Sequence, residues 1–471
     1  MSADALPTES PPSSAGDRLA LACVVLAAVV AAGLAYAQFL SNPDHLWWSL
    51  LHDRNVHYLL GLNVALDLRS LDFVRLLVDL EDAKVWPPLH GILVGLVLAV
   101  GGPDQRLAVL PSLIAWAGTV AFGFLAARRA AGAYGNWAGL LAATFIIASP
   151  AHRAFATDTM LESLGACLTL MVVYCYLRAV QQPTPGGVRT LALCLTALFF
   201  EKFNYWMIVL AALAATELMR AENRRWLWDT VTAIAWRDWI RSQLRSPLTY
   251  ALLLALALVG WVMATGGVAL QIGGKAVSIR SYHNPLTVAY VLLLGKVFAW
   301  WWRGGRDWLA AQGQPFCQLV YWLGVPVAVW LLLPQRLGYF LWFLSPANAS
   351  TNEGLLHGTK FYLTRLLLDY HQHALLCALA ACLLVLAAIA CRRLPRGGAV
   401  VLWLLLCGAA LTFNHPNRKS RYVHSWAAAA WVGAGVGLAQ VLRWRQGAHP
   451  GAARSWLAAG AVAGLAVVQA P

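Results

Sequence analysis

The chain is 471 residues long, 60% hydrophobic and only 12% charged, with a formal net charge of +14. A water-soluble fold of this size needs far more charged surface, so the composition excludes one and makes a bilayer the solvent. The positive excess does not point to nucleic acid, because the arginines cluster at the ends of apolar runs, where they meet an anionic membrane surface.

Residues 1–17 read as a disordered Ser/Pro-rich cytoplasmic tail. Apolar runs follow at 19–40, 107–127, 136–150, 161–179, 250–264, 286–302, 317–333, 374–391, 400–411, 423–442 and 456–468. Several reach the roughly 17 to 25 residues that cross about 30 Å of hydrocarbon as helix. The first reads as a retained span rather than a cleaved signal, because the run is long and a 17-residue Ser/Pro-rich tail precedes it. The nine cysteines are scattered through apolar runs without ligand spacing, which predicts small buried side chains rather than a disulfide framework or zinc site.

Arginine placement orients the threading. Clusters at Arg128 and Arg129, Arg178 and Arg189, Arg303 and Arg306, Arg392 to Arg396, and Arg443 and Arg445 are expected in the cytoplasm, with residues 218–247 as a basic linker of six arginines against three acids. Residues 41–84, with seven acids against four bases, form a long external loop whose leucine spacing predicts amphipathic helices lying on the membrane. The pattern alternates only if the short run at 89–100 does not cross and if 190–217 is a helical pair broken near Glu201 and Lys202. This predicts an all-α integral membrane protein with about 13 transmembrane helices, made of a module at 18–217, the linker at 218–247 and a second membrane module at 248–471.

Polar residues gather on the external side of this threading. Asp44 follows the first span directly, as a helix cap or a chemical group. Glu81, Asp82 and Lys84 precede Pro87 and Pro88 at the mouth of the short apolar run, an ordinary helix start or a functional cluster. Arg153, Asp158 and Glu162 follow, the two acids expected on one helical face at i and i+4, with Glu162 a costly charge inside a span. Lys202 forms an internal ion pair or holds a phosphate as a point charge. His415, Lys419, Arg421 and Tyr422 bring bases to the external side, to be compensated by loop acids or by a bound anion.

The ordered set of Asp44 after the first span, Pro87 and Pro88, Arg128 and Arg129 with Gly132, Ser149 and Pro150 ahead of Arg153 and Asp158, Lys202 at a helix break, and Lys419, Arg421 and Tyr422 before a late span resembles the membrane glycosyltransferases of the C superfamily (GT-C). The bacterial branch related to protein mannosyltransferases and the aminoarabinose transferase of lipid A is the most similar. The family's first loop carries Asp-Glu where this chain has Asp44 and His45.

The resemblance implies a GT-C type fold and transfer, with inversion, of a sugar from a polyprenyl-phosphate donor to an extracytoplasmic lipid, glycan or protein acceptor. It implies Asp44 as base, Asp158 as orienting group, and Lys202, Arg421, Lys419 and Tyr422 around the donor phosphate, with Glu81, Asp82, Lys84, Arg153, Glu162 and His415 in support. No cofactor is expected, with Mg²⁺ or Mn²⁺ between converging acids as the alternative. The expected location is a bacterial plasma (inner) membrane, multi-pass, with the site facing outward. A transporter or flippase of an amphiphilic substrate is the competing reading, since it too would want buried carboxylates and external cations.

Overall fold

The computed structural model describes residues 15–47, 52–83, 86–233, 236–272, 275–279, 281–331, 336, 339, 355–371, 373–390, 397–415 and 418–446. Lys84, the basic cluster at Arg392, Arg393 and Arg396, and the apolar run at 456–468 lie outside these. The chain divides into two compact units, one of Met1–Glu217 with Asn348–Pro471 and the other of Leu218–Ala347. The C-terminal part expected as one module at 248–471 is thus shared between them.

The helices of the first unit are α1 (Ala15–Ser41), α2 (His52–Ser70), α3 (Phe73–Asp82), α4 (Leu89–Gly101), α5 (Gln105–Ala108), α6 (Leu110–Ala131), α7 (Gly135–Ala148), α8 (Pro150–Ala156), α9 (Glu162–Gln181), α10 (Pro185–Glu201) and α11 (Phe203–Leu218). In the second come α12 (Ala221–Ala233), α13 (Trp236–Leu244), α14 (Pro247–Thr265), a hairpin of β1 (Val268–Ile272) and β2 (Lys275–Ile279), α15 (His283–Trp300), α16 (Arg306–Ala311), α17 (Gln314–Leu319) and α18 (Val325–Leu331). The first unit closes with α19 (Leu355–Leu368), α20 (Ala374–Ala390), α21 (Gly397–Phe413) and α22 (His424–Gln446).

Seven of the described helices are long and apolar enough to cross a membrane, or eight if the bent pair α7 and α8 is one span. The protein is a multi-pass helical membrane protein whose described strands form one antiparallel hairpin, with Val268 opposite Ile279 and Ile272 opposite Lys275. Four shorter apolar helices, among them α4 and α11, accompany the long ones.

Around α6, α9 and α22 the first unit is dense. α9 buries side chains on every face, from Glu162 to Ala179, as a helix surrounded by other helices must. Three local devices shape it. Gly132, at φ +73, makes the tight reversal between α6 and α7 that a side chain would resist. Ser149 is held extended ahead of Pro150, and α7 bends by 65° into α8 there. Thr184 caps α10 by accepting from the Gly187 amide at 3.0 Å, with Pro185 in the first turn.

The two ends of this bundle differ in chemistry. At one end Arg128 pairs with Asp17 at 2.7 Å, Arg129 donates to Gln181 at 2.8 Å, and Arg443 donates to the Ala131 carbonyl at 3.1 Å. The C-termini of α6, α9 and α22 and the start of α1 therefore share that end. At the other, Asp44 accepts from Gln105 Nε2 at 2.9 Å, so the end of α1 lies beside α5, just ahead of α6. The chain between them thus begins and ends close together, and the run at 89–100 forms one of the shorter apolar helices. It packs as α4 against α2, where Gly95 gives way to Val64: a Cβ on Gly95 would lie 2.4 Å from Val64 Cγ1.

In the second unit α12 and α13 bury none of their described side chains, and Trp226, Trp228, Trp236, Trp239 and Ile240 are exposed on them. Arginines interleave with these tryptophans. That mixture suits helices lying in a membrane interface.

Candidate functional site

At the end opposite the basic turns, the start of α9, the break between α10 and α11, and the turn ahead of α22 converge. Lys202 takes extended φ/ψ of −160° and 116° between α10 and α11, while its amide still donates to Leu198 and its carbonyl accepts from Trp206. One residue is thereby pulled out of helical geometry without orphaning its own backbone groups. α9 begins only at Glu162, because residues 157–161 form an irregular turn. Asp158 and Glu162, expected on one helical face, are separated by that turn and face different partners.

Glu162 is fully buried, and Lys202 Nζ lies 2.7 Å from its Oε1, with Arg421 Nε 3.9 Å from the same oxygen. Arg421 rises from the 3-10 turn Ser420–Val423, and its Nη2 pairs with Asp53 at the start of α2. Lys202 also lies over the Tyr205 ring, 4.6 Å from the centroid. Two cations and two carboxylates from four distant stretches of sequence thus form one network. Such a group is tolerable only because each charge has a close opposite.

Beside it stands a second pair. Arg54 grips Asp158 with two parallel bonds, Nε to Oδ1 at 2.7 Å and Nη2 to Oδ2, while its Nη1 donates to the Leu46 carbonyl. This bidentate geometry is the strong form of the Arg–carboxylate contact. Through Leu46 it also holds the 3-10 turn Pro43–Trp47 that carries Asp44.

Of the expected residues, then, the structure brings Glu162, Lys202 and Arg421 together. Asp158 lies with Arg54. Asp44 is exposed on its turn and meets Gln105. Tyr422 is buried next to Arg421, and His415 sits edge-on to its ring at 5.3 Å. Glu81 and Asp82 are exposed in the last turn of α3, and Arg153 is half-buried on α8. Among the described residues no group of three or more His, Cys, Asp or Glu side chains is arranged to hold a metal ion.

Residues outside the expected set also contribute. Asp53, Arg54 and His57 come from α2, and His90 from α4 lies 6.1 Å from His57, ring to ring. Asp53 and His57 stand at i and i+4, a spacing that could have flagged a shared helix face. Glu201, fully buried, and His90 keep side-chain atoms without a hydrogen-bond partner.

Burial pushes the His57 imidazole down to about 3, reinforced by His90 and opposed by Glu162. Burial works the other way on Asp53, yet the Arg421 guanidinium, with Lys419, holds its carboxyl below the usual carboxylate range. Both shifts are downward, so both groups support the fold at neutral pH and withdraw that support as pH falls, His57 from about 6.5 toward 3 and Asp53 below about 3.8. The thermal midpoint of the purified protein is therefore expected to drop between pH 7 and 5. His57 supplies up to about 1.4 kcal/mol per pH unit, which His57→Leu removes. An unchanged slope in that variant would assign the acid sensitivity to other groups.

No protein-family model matches the chain, and no curated protein matches it. Among solved structures it is similar to the oligosaccharyltransferase AglB of Archaeoglobus fulgidus in complex with an inhibitory peptide and a dolichol-phosphate, at 12% identity over 97% of this chain and 56% of that one, with a TM-score of 0.49. The apo form of the Archaeoglobus fulgidus oligosaccharyltransferase gives 12% identity over 94% of this chain and 56% of that one, TM-score 0.48. ArnT of Cupriavidus metallidurans bound to undecaprenyl phosphate gives 15% identity over 90% of this chain and 77% of that one, TM-score 0.33. The chain spans 56% of the length of both archaeal structures.

Proposed function

We propose that the protein is an inverting glycosyltransferase of a bacterial plasma membrane, moving a sugar from a polyprenyl-phosphate donor to an acceptor outside the cytoplasm. The observation that carries this reading is the meeting of Lys202 and Arg421 at one buried carboxylate, Glu162, with Asp53 of the first loop also reaching Arg421. Two cations that converge on an anion inside an apolar protein are equipped to receive a phosphate in its place.

In this mechanism the donor's phosphate approaches Lys202 and Arg421, and Glu162 gives way to it. The acceptor hydroxyl attacks the anomeric carbon from the face opposite the phosphate. The bond from that carbon to the phosphate oxygen breaks, and its electron pair leaves with the polyprenyl phosphate, whose growing charge the two cations stabilise. Asp44, exposed on its turn, takes the acceptor's proton. Asp158 and Arg54 hold the turn that presents Asp44, while Lys419 and Tyr422 flank Arg421. Because phosphate is already a competent leaving group, one carboxylate suffices and no glycosyl-enzyme intermediate is required.

Transfer from a synthetic polyprenyl-phosphate sugar by purified Asp44→Asn tests the assignment of the base. A fall of about 10²–10⁴ in kcat, with donor binding retained, is expected. Undiminished turnover would remove Asp44 from the mechanism.

A further inference from the structure

Tyr205 touches the Lys202 ammonium and the backbone of Arg421, and no step of the mechanism uses it. The residue is fully buried on α11, three positions after the break at Lys202. Its ring packs against α9 at Gly165, where a Cβ would come within 2.4 Å of Tyr205 Cδ2, so only glycine leaves room for it. From there the ring underlies Lys202 Nζ, 4.6 Å from the centroid, and the hydroxyl lies 3.5 Å from the same nitrogen. That hydroxyl donates to the backbone carbonyl of Arg421 at 3.2 Å.

One rigid side chain therefore spans from the helix break that presents Lys202 to the turn that presents Arg421. The turn is otherwise steadied by Tyr370, whose hydroxyl donates to the Ser420 carbonyl at 3.4 Å and lies 3.2 Å from His424 Nδ1. Tyr370 has no contact with Lys202 among those described. We infer that Tyr205 is a positioning residue that fixes the spacing of Lys202 and Arg421 and so sets the affinity for the donor's phosphate. The inference rests on the proposed function for its ligand, and on geometry alone for its mechanical part.

Tyr205→Phe keeps the ring under Lys202 and the packing on Gly165 but deletes the bond to Arg421. Two measurements on the full-length protein separate the issues. Amide hydrogen exchange in the Ser420–Val423 turn is expected to quicken about fivefold to tenfold, the worth of one hydrogen bond, while the thermal midpoint falls by no more than about 2 °C. The Kd for a sugar-free polyprenyl phosphate and the donor KM are expected to rise by a similar factor, with kcat at saturating donor changing less than twofold. A purely structural role would not produce that split between KM and kcat.

Unchanged exchange in the turn overturns the inference whatever the ligand data show. Quickened exchange with wild-type donor affinity overturns it too, because Arg421 would then bind phosphate without this restraint. A wild-type protein that binds no polyprenyl phosphate, with quickened exchange in the variant, defeats the functional reading alone and leaves Tyr205 as the restraint on the turn.

Discussion

Replacing Lys202 with methionine is expected to lower the stability of the protein by about 3–5 kcal/mol and its thermal midpoint by about 3–7 °C. The reason is the partner left behind. Glu162 is fully buried, its nearest cation is Lys202 at 2.7 Å, and Arg421 stands off at 3.9 Å. Its second oxygen, Oε2, has no hydrogen bond to fall back on. Removing the lysine strands a charge where solvent cannot reach it, and the carboxylate must take up a proton or force the site open. The double variant Glu162→Gln with Lys202→Met tests this cause. Since a buried pair contributes little beyond a neutral replacement of similar shape, the double variant should regain at least half of the lost stability. A double variant as unstable as the single one would mean that Lys202 acts through packing instead. Both variants are expected to lose transfer, because the proposed phosphate site needs the cation irrespective of stability.

The second large effect belongs to Arg54. Arg54→Leu removes both bonds to Asp158 and the bond to the Leu46 carbonyl. Asp158, with 10% of its side chain exposed, is then a buried carboxylate without its fork, a loss of about 3–5 kcal/mol. The functional consequence is larger than the loss of a distant ion pair. Leu46 lies two residues from Asp44 on the same 3-10 turn, so releasing it displaces the proposed base. A shift of about 1 Å in a reacting group costs about 10² in rate, and kcat for transfer should fall by that factor. Arg54→Lys should rescue only part of it, since an ammonium cannot make the two parallel bonds. Full rescue by lysine would show that charge alone, not the fork, matters here.

Lys202 and Glu162 were legible in the sequence for a physical reason: a charge within an apolar run has to be paired, and an interrupted helix is one way to reach a partner. The identity of that partner was not. Glu201 is adjacent to Lys202 in sequence, but the lysine turns to Glu162, 40 positions away, which only the packing of α9 on α10 brings near. Arg421 could be suspected from bases on the side where the arginine rule does not put them. The contribution of α2 was hidden for the opposite reason. Its leucines read as a surface helix, and nothing local says that Asp53 and Arg54 reach partners 368 and 104 residues away.

Arginine placement required the run at 89–100 not to cross, and the contact between Asp44 and Gln105 brings the two ends of that stretch together. The end of the helix before α9 was not readable. Asp158 to Glu162 contains no glycine or proline, and what holds Asp158 inside the turn is its tertiary pair with Arg54. The return of α19 to α22 into the first unit was equally beyond reach, since hydrophobicity tells where a helix crosses and not which neighbours it crosses beside.

The central claim is that Lys202 and Arg421 receive a polyprenyl phosphate. A cryo-electron microscopy structure of the full chain in nanodiscs with a polyprenyl phosphate tests it directly. The phosphate oxygens are expected within about 4 Å of both Lys202 Nζ and the Arg421 guanidinium, with the contact between Lys202 and Glu162 broken or lengthened. A phosphate bound elsewhere, with Lys202 still resting on Glu162, would contradict the account.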